Sequence, residues 1–529
     1  MDSPEELFRR LEQLNAIGAA LSSERDLGSL LERILLAAKT ITHADAGTLY
    51  RVTENRSALH FEIVCNDTLG IAPGGGATGF PDLPLHTPEG DPNKKLVAVC
   101  AVLEDRTINI ADAYAEAGFD FSGTCLFDTR TGYRSRSFLT VPMKNHEGTI
   151  IGVLQLINAK HPETGQVQRF SIAAQRLAES LASQAAIALT NRQLIDQLEA
   201  LFESFVSLIN LAIDEKSPYT GGHCQRVPRL TMMIAEAVNA TREGPLADFT
   251  LSEAELYELK IAGLLHDCGK VTTPVHVVDK ATKLQTIHDR IGLIDTRFEV
   301  LKRDAQIAAL RKQLELRPQQ DAPAEAACWN AYRQALERLD DDRAFLRQAN
   351  LGCEAMPPEQ QQRVRDIGAG RNWRNPAGVD ADFLSADEIE NLTIRSGTLT
   401  AAERETINHH IVATIRMLEA LPWPAHLRKV PEFAGGHHER MDGRGYPQGL
   451  TREQMSVPAR MMGIADIFEA LTARDRPYKS GMKLSQALGI MRKFAANGHI
   501  DPDLFEVFMR QGVWRRYASE FLDPEQIDI

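Results

Sequence analysis

At 529 residues the chain exceeds what one hydrophobic core serves, so two or three domains are expected. Hydrophobic residues make up 43% and charged residues 25%, the balance of a folded globular protein, and a formal charge of -13 disfavours a general binder of nucleic-acid polymers or acidic membranes. The seven cysteines are scattered and never spaced as CxxC, which argues against a disulfide framework or a thiolate zinc site. The opening MDSPEELFRRLEQ is polar and acidic, and no later run approaches the ~18 apolar residues of a membrane span, so a cytoplasmic location with no membrane contact is expected.

From residue 25 to about 190, short strand patterns alternate with helices. LLERILLAAKTI reads as an amphipathic helix, and TLYRV, LHFEIV, FLTVPM and IIGVLQLIN read as strands rich in β-branched and aromatic residues. Gly and Pro cluster from Pro73 to Gly76 and at Pro81, Pro84 and Pro88, marking long connections able to cover a ligand or to serve as plain loop.

From Phe170 to Asp214 the pattern turns helical. Leu194, Leu198, Leu201, Phe205, Leu208 and Ala212 recur at alternating steps of four and three, the coiled-coil seam period. A homodimer through this connecting helix is one reading; the other is a single amphipathic helix packed on its own domain.

Beyond Glu253 the chain reads as almost wholly helical. Ser252/Glu255, Ser385/Glu388, Thr400/Glu403 and Thr451/Gln454 have the capping-box spacing, in which a hydroxyl and a carboxylate or amide satisfy free N–H groups at a helix start. The polar stretch from about 286 to 400 reads as an insertion forming a helical hairpin. The expected division is a sensory α/β domain over 1–190, a connecting helix over 191–214 and an all-α domain over 215–520.

Histidine and aspartate recur within or at the ends of apolar helical segments of this last domain: His223, His266 with Asp267, His409 with His410, His437 with His438, and Asp466. Asp466 stands among Met461, Met462, Ile464, Ile467, Phe468 and Leu471, where an unpaired carboxylate would cost several kcal/mol. It needs a positive partner, either a lysine or arginine or a metal ion. A pair of divalent cations would satisfy Asp466 together with His266 and Asp267. Neutral imidazoles plus carboxylates without thiolates suit iron, manganese or zinc. The neighbouring rings of His437 and His438 diverge, so two ions about 3.5–4 Å apart could each take one, with Asp267 bridging, to bring an activated water in line with a phosphorus atom.

HDCGK together with HHERMDGRGYP resembles the HD-GYP domain, a branch of the metal-dependent HD phosphohydrolases, with the triad at Gly445, Tyr446 and Pro447. The resemblance runs from His223 to Asp503, broken by the insertion. It implies a helical fold, two or three divalent ions of iron or manganese, and hydrolysis of cyclic di-GMP to pGpG or GMP. By position it makes His223, His266, Asp267, His410, His437, His438 and Asp466 metal ligands. Asp267 and Lys270 would be catalytic; Lys270, Arg444, Tyr446, Arg476 and Lys479 would contact substrate. His410 rather than His409 follows from its spacing to Leu418. An extra carboxylate for a third ion could come only from Asp214 or Glu215. VTTPVHVVDKATKL departs from the family's acidic residue and KPGKL-like turn, so that rim is expected to differ, with His276 and His288 as surface residues.

The N-terminal region resembles a GAF domain, through LFDTRTGYRSRSFLTVPMKN followed by GTIIGVLQLINA. That implies a regulatory small-molecule ligand of unknown identity. Arg130, Thr131, Arg134 and Ser135 offer a phosphate site, or simply solvate a strand edge. Two rivals stand beside a GAF-regulated cyclic di-GMP phosphodiesterase. One is a metal- and dinucleotide-binding receptor that signals to a protein partner through Arg444, Gly445 and Tyr446. The other is an HD-type phosphohydrolase acting on another nucleotide, 3′3′-cGAMP included.

Overall fold

The computed structural model describes residues 16–529 apart from 19, 21–23, 25, 73–79, 218–221, 318–321, 354 and 475–480. The described residues fall into two compact units that divide between Phe202 and Glu203.

The first unit begins with α1 (Leu27–Thr42), started by the Asp26 carboxylate accepting from the Ser29 N–H and ended by His43 in the left-handed conformation. The chain continues through β1 (Ala44–Val52), β2 (Ala58–Asn66), β3 (Leu83–Pro84), α2 (Val97–Leu103), β4 (Ile108–Ile110), α3 (Ser122–Thr131), β5 (Phe138–Lys144), β6 (Ile150–Lys160) and β7 (Val167–Gln168). All strand pairs are antiparallel, in the order β3-β2-β1-β6-β5-β4, with β7 beside β6. Each of the four strands read from the sequence is present.

One sheet face is covered by α1 and by the start of α4 (Ile172–Lys216). Leu31, Ile34 and Leu35 meet Leu49 and Leu154 there, with Leu181, Ala182 and Ala185 closing the layer. The other face carries α2 and α3 and borders a cavity. Along α4 the predicted seam is solvent-exposed within the chain, Leu198 at 67% and Phe205 at 56%.

Among its described residues the second unit is helical apart from one two-stranded ribbon. Its elements are α5 (His223–Ala240), α6 (Glu253–Leu265), α7 (Val275–Val278), α8 (Ile291–Leu316), α9 (Ala322–Asn350), α10 (Pro358–Ala369), the ribbon β8 (Asn372–Arg374) and β9 (Asp380–Asp382), α11 (Ala386–Leu392), α12 (Ala401–Glu419), α13 (Val430–Gly435), α14 (Val457–Thr472), α15 (Leu484–Ala496), α16 (Pro502–Arg510) and α17 (Val513–Phe521). Capping boxes at Ser252, Ser385 and Thr400 open α6, α11 and α12. The one at Thr451 opens only a 3-10 turn, Arg452–Gln454.

The insertion is more than a hairpin. α8 and α9 pair, and α10, the ribbon and α11 join them around a core containing Phe298, Leu346, Val364, Phe383 and Leu392. Two buried lysines anchor it. Lys280 donates to Asn391 and to both Glu403 oxygens, and Lys283 donates to the carbonyls of Leu392 and Ile394. These are the lysines of the divergent VTTPVHVVDKATKL segment, where a fully buried ammonium requires such partners.

Candidate metal centre

Five segments of the second unit converge on one point. α5 supplies His223 as its first residue. α6 delivers His266 at its end, followed by Asp267 and the turn Cys268–Thr272. α12 presents His410, the chain leaving α13 presents His437 and His438, and α14 presents Asp466 and, one turn on, Glu469. The HDCGK turn lies hard against α12. A Cβ on Gly269 would come within 2.0 Å of the His410 carbonyl, and the Gly269 N–H donates to Thr414 Oγ1 at 2.9 Å, so only glycine fits there.

The rings share one orientation. Nδ1 of His266, His410 and His437 donates to the carbonyls of Gly263, Ile407 and Ala434 at 2.7, 2.5 and 2.6 Å, and His223 Nδ1 meets Glu469 Oε2 at 2.5 Å. A neutral imidazole that donates through Nδ1 keeps its lone pair on Nε2. These Nε2 atoms turn inward: His223 and His266 face each other at 3.3 Å, and His410 lies 3.2 Å from His438 Nε2. His410 Nε2 also lies 3.2 Å from Asp267 Oδ1, yet that oxygen has no hydrogen-bond partner among the described residues, and neither has buried His437 Nε2.

Lone pairs pointed at lone pairs and carboxylates repel unless a cation lies between them. Carbonyl- or carboxylate-bound imidazoles of this kind are the usual second contact of metal-ligating histidines. The donor set fits divalent metal. Among the described residues, two groups have ligand atoms close enough together to hold an ion, His223 with His266 and Asp267, and His410 with His437 and His438. Asp466 reaches toward both, 3.2 Å from His223 Nε2 and 4.0 Å from His438 Nδ1.

The electrostatics agree. Burial pushes the Asp267 carboxyl up, but Lys270 and His266 hold it well below the usual range; Asp466 is likewise held down against burial by His223 and His438. Burial with its neighbours His438 and His266 drives His437 well down, and burial takes His438 to about 4, so both rings are neutral at ordinary pH. Around His223, burial opposes a charged ring, yet Glu469, Asp267 and Asp466 raise its pKa well above the imidazole range. That position therefore favours positive charge.

Lys270 Nζ donates to Asp267 Oδ2. The glycine-rich loop is built by Glu439, whose buried carboxylate accepts from the N–H groups of Gln448, Gly449 and Leu450 at 2.7, 3.2 and 2.9 Å. A Cβ on Gly445 would meet Glu439 Cα and Arg440 N at 2.4 Å. Tyr446 then stacks on His438, ring centroids 4.8 Å apart and 24° from parallel.

Of the residues singled out from sequence, His223, His266, Asp267, Lys270, His410, His437, His438, Tyr446 and Asp466 meet here. Arg444 is an exposed loop residue, and Arg476 and Lys479 lie outside the described residues. His409, His276 and His288 are exposed. Asp214 has a buried Oδ1 without a hydrogen-bond partner among the described residues; burial raises its pKa while His223 pulls it down, whereas Glu215 is exposed. Sequence reasoning missed Glu469 and Glu439. Both were legible as carboxylates needing partners, Glu469 on the apolar α14 and Glu439 beside the glycine-rich turn.

The GAF domain family matches residues 26–189, and the HD domain family matches 220–347 and 385–504. The chain carries a GAF domain followed by an HD domain. The HD domain is the branch with the GYP triad, and HD domains are metal-dependent, in keeping with the two ligand groups above. Among curated proteins, the chain is 46% identical over 133 residues to 3′3′-cGAMP-specific phosphodiesterase 1 of Vibrio cholerae, covering 25% of this chain and 30% of that protein. It is 39% identical over 134 residues to a cyclic di-GMP phosphodiesterase of Pseudomonas aeruginosa (25% and 31%), and 31% identical over 136 residues to one of Thermotoga maritima (25% and 36%). The chain thus spans about a third of the length of these relatives. Among solved structures, the GAF domain of an Acinetobacter phosphoenolpyruvate-protein phosphotransferase aligns over 37% of this chain and 99% of that one, at 17% identity and a TM-score of 0.27. No helix among the described residues is long and apolar enough to cross a membrane.

Proposed function

We propose that the chain is a metal-dependent phosphodiesterase that hydrolyses cyclic di-GMP to pGpG or GMP, under control of its GAF domain. The observation that carries this reading is the convergence of imidazole lone pairs on Asp267 and Asp466, with the Lys270 ammonium beside them. His223, His266, Asp267, His410, His437, His438 and Asp466 hold two ions of iron or manganese, and Asp214 is the side chain available to a third. When bound, such ions supply Lewis acidity toward a phosphoryl oxygen and make water a nucleophile near neutral pH.

The chain's own residues do the rest. Asp267 holds Lys270 at the reacting phosphate, where its ammonium stabilises the leaving oxygen. Tyr446, fixed flat on His438, forms one wall of the cleft. Arg476 and Lys479 bind phosphates of the substrate, Arg444 contacts the substrate as well, and Arg444 on its exposed loop also suits a protein partner. A second reading, preference for 3′3′-cGAMP, is favoured by the relatives of that name at 46% and 34% identity.

The seam on α4 supports a homodimer, with Leu194, Leu198, Leu201, Phe205 and Leu208 exposed at seam spacing. Protein loaded anaerobically with Fe or Mn and given cyclic di-GMP and 3′3′-cGAMP in parallel tests the substrate. Turnover of cyclic di-GMP at the higher kcat/KM is expected, and the reverse order selects the second reading. Intact substrates over hours, beside active controls, would remove the hydrolytic assignment.

A further inference from the structure

The GAF domain carries an open cavity of about 380 Å³ between its sheet and the helices α2 and α3. That volume lies at the small end of ordinary ligand sites. Its walls are aromatic. Phe61 stands in the middle, tilted against Tyr50 at 4.7 Å and stacked with Phe80 at 5.0 Å and 25°, and Phe127 faces in from α3. Phe80 is 40% exposed, so an apolar ring lies at the mouth.

Polar side chains border it in two places: Thr48, Asn66, Tyr133, Ser135 and Gln155 along the sheet side, and Asp120, Ser122 and Thr124 at the start of α3. Tyr50 donates to Gln155 Oε1 and Gln155 Nε2 donates to Thr140 Oγ1, both at 3.1 Å. These groups are neutral, and burial keeps the Tyr50 phenol so by raising its pKa. The one charged side chain lining the cavity among the described residues is Asp120, an anion. Residues 73–79, which precede Phe80 in the chain, are PGGGATG and contain no base.

Of the side chains that suggested a phosphate site, Arg130 and Arg134 do not line the cavity, and Ser135, which does, has its hydroxyl engaged. Arg134 lies over the Tyr114 ring at 4.4 Å, Arg130 is exposed, and the Ser135 hydroxyl donates to Asp128 at 2.9 Å. A phosphate brought into this cavity would meet no lysine or arginine among the described lining residues, and Asp120, beside the first turn of α3, would repel it.

We propose that the GAF cavity binds an uncharged, flat, ring-bearing small molecule with one or two polar atoms, and that it does not bind cyclic nucleotides. The ring packs against the aromatic side chains that line the cavity, Phe127 of α3 among them, and its polar atom meets the amide of Gln155. This stands apart from the reading of the metal centre, because binding is measured without turnover.

The test uses the full chain and N-phenyl-1-naphthylamine, a neutral flat fluorophore. Saturable binding of one probe per chain with blue-shifted emission is expected. Thr124→Trp on α3 and Val64→Trp on β2 each fill the cavity from half-buried positions, and each should lower probe affinity at least tenfold while the melting temperature holds. Excess cGMP, cAMP or cyclic di-GMP should leave the signal unchanged. Absence of saturable binding, undiminished binding in a folded Trp variant, or displacement by any of the three nucleotides would overturn the proposal.

Discussion

At Glu469 a fully buried carboxylate grips His223 Nδ1 with one oxygen and the Arg226 guanidinium with the other, at 2.5 and 2.6 Å. This fixes the ring so that Nε2 faces Asp267 and Asp466. Such outer partners are worth about 10- to 100-fold in metal affinity. Glu469→Ala should therefore weaken metal binding by that factor in competition with a chelator, and Glu469→Gln, which can still accept from Nδ1, should recover much of it. Burial pushes Glu469 up, but His223 and Arg226 bring it to about 2, so its stabilising contribution is complete above the ordinary value of 4.5 and is lost as pH falls through 2. Melting temperatures of wild type and Glu469→Gln should converge over that window. Lys270→Ala separates chemistry from ligation: metal content should hold while kcat falls about 10²- to 10³-fold, the usual cost of removing one donor aimed at developing charge. The histidines and Asp466 were legible because polar groups in apolar helices demand partners. The choice of His410 over His409 needed helix register, and the grip of Glu469 needed a contact 246 positions away in sequence.

The elements divide by how local their causes are. The strands β1, β2, β5 and β6 and the capping boxes of α6, α11 and α12 follow from neighbouring residues, and all can be read in the sequence. The insertion shows the opposite case. A hairpin pattern marks α8 and α9, but the core that binds them to α10 and α11 is made of contacts distant in sequence, and the short ribbon carries little periodicity. Phe298, fully buried at the centre of that core, gives the test. Phe298→Ala should cost about 3–5 kcal/mol, read as an earlier unfolding step of the second unit in denaturant. On α4, Leu201→Glu with Phe205→Glu should turn a dimer into a monomer in sedimentation velocity; a wild-type monomer at micromolar concentration would contradict the seam.

For the whole molecule, the proposed control by the GAF domain has one requirement: a ligand changes the rate only if it binds two states of the chain with different affinity. A chain beginning at Glu199 should hydrolyse cyclic di-GMP at a rate different from that of the full chain, and equal rates would exclude regulation by the GAF domain. The chemistry of the cavity was not legible in the sequence, because Arg130 and Arg134 lie within the signature in the chain while neither side chain lines the cavity. The metal centre is the claim on which the enzymatic reading stands. Elemental analysis of protein purified anaerobically, beside Asp267→Asn and His266→Ala variants of unchanged fold, tests it most directly. At least two equivalents of iron or manganese per wild-type chain, falling below one in either variant, are predicted; wild-type protein that holds no transition metal even after reconstitution would contradict it.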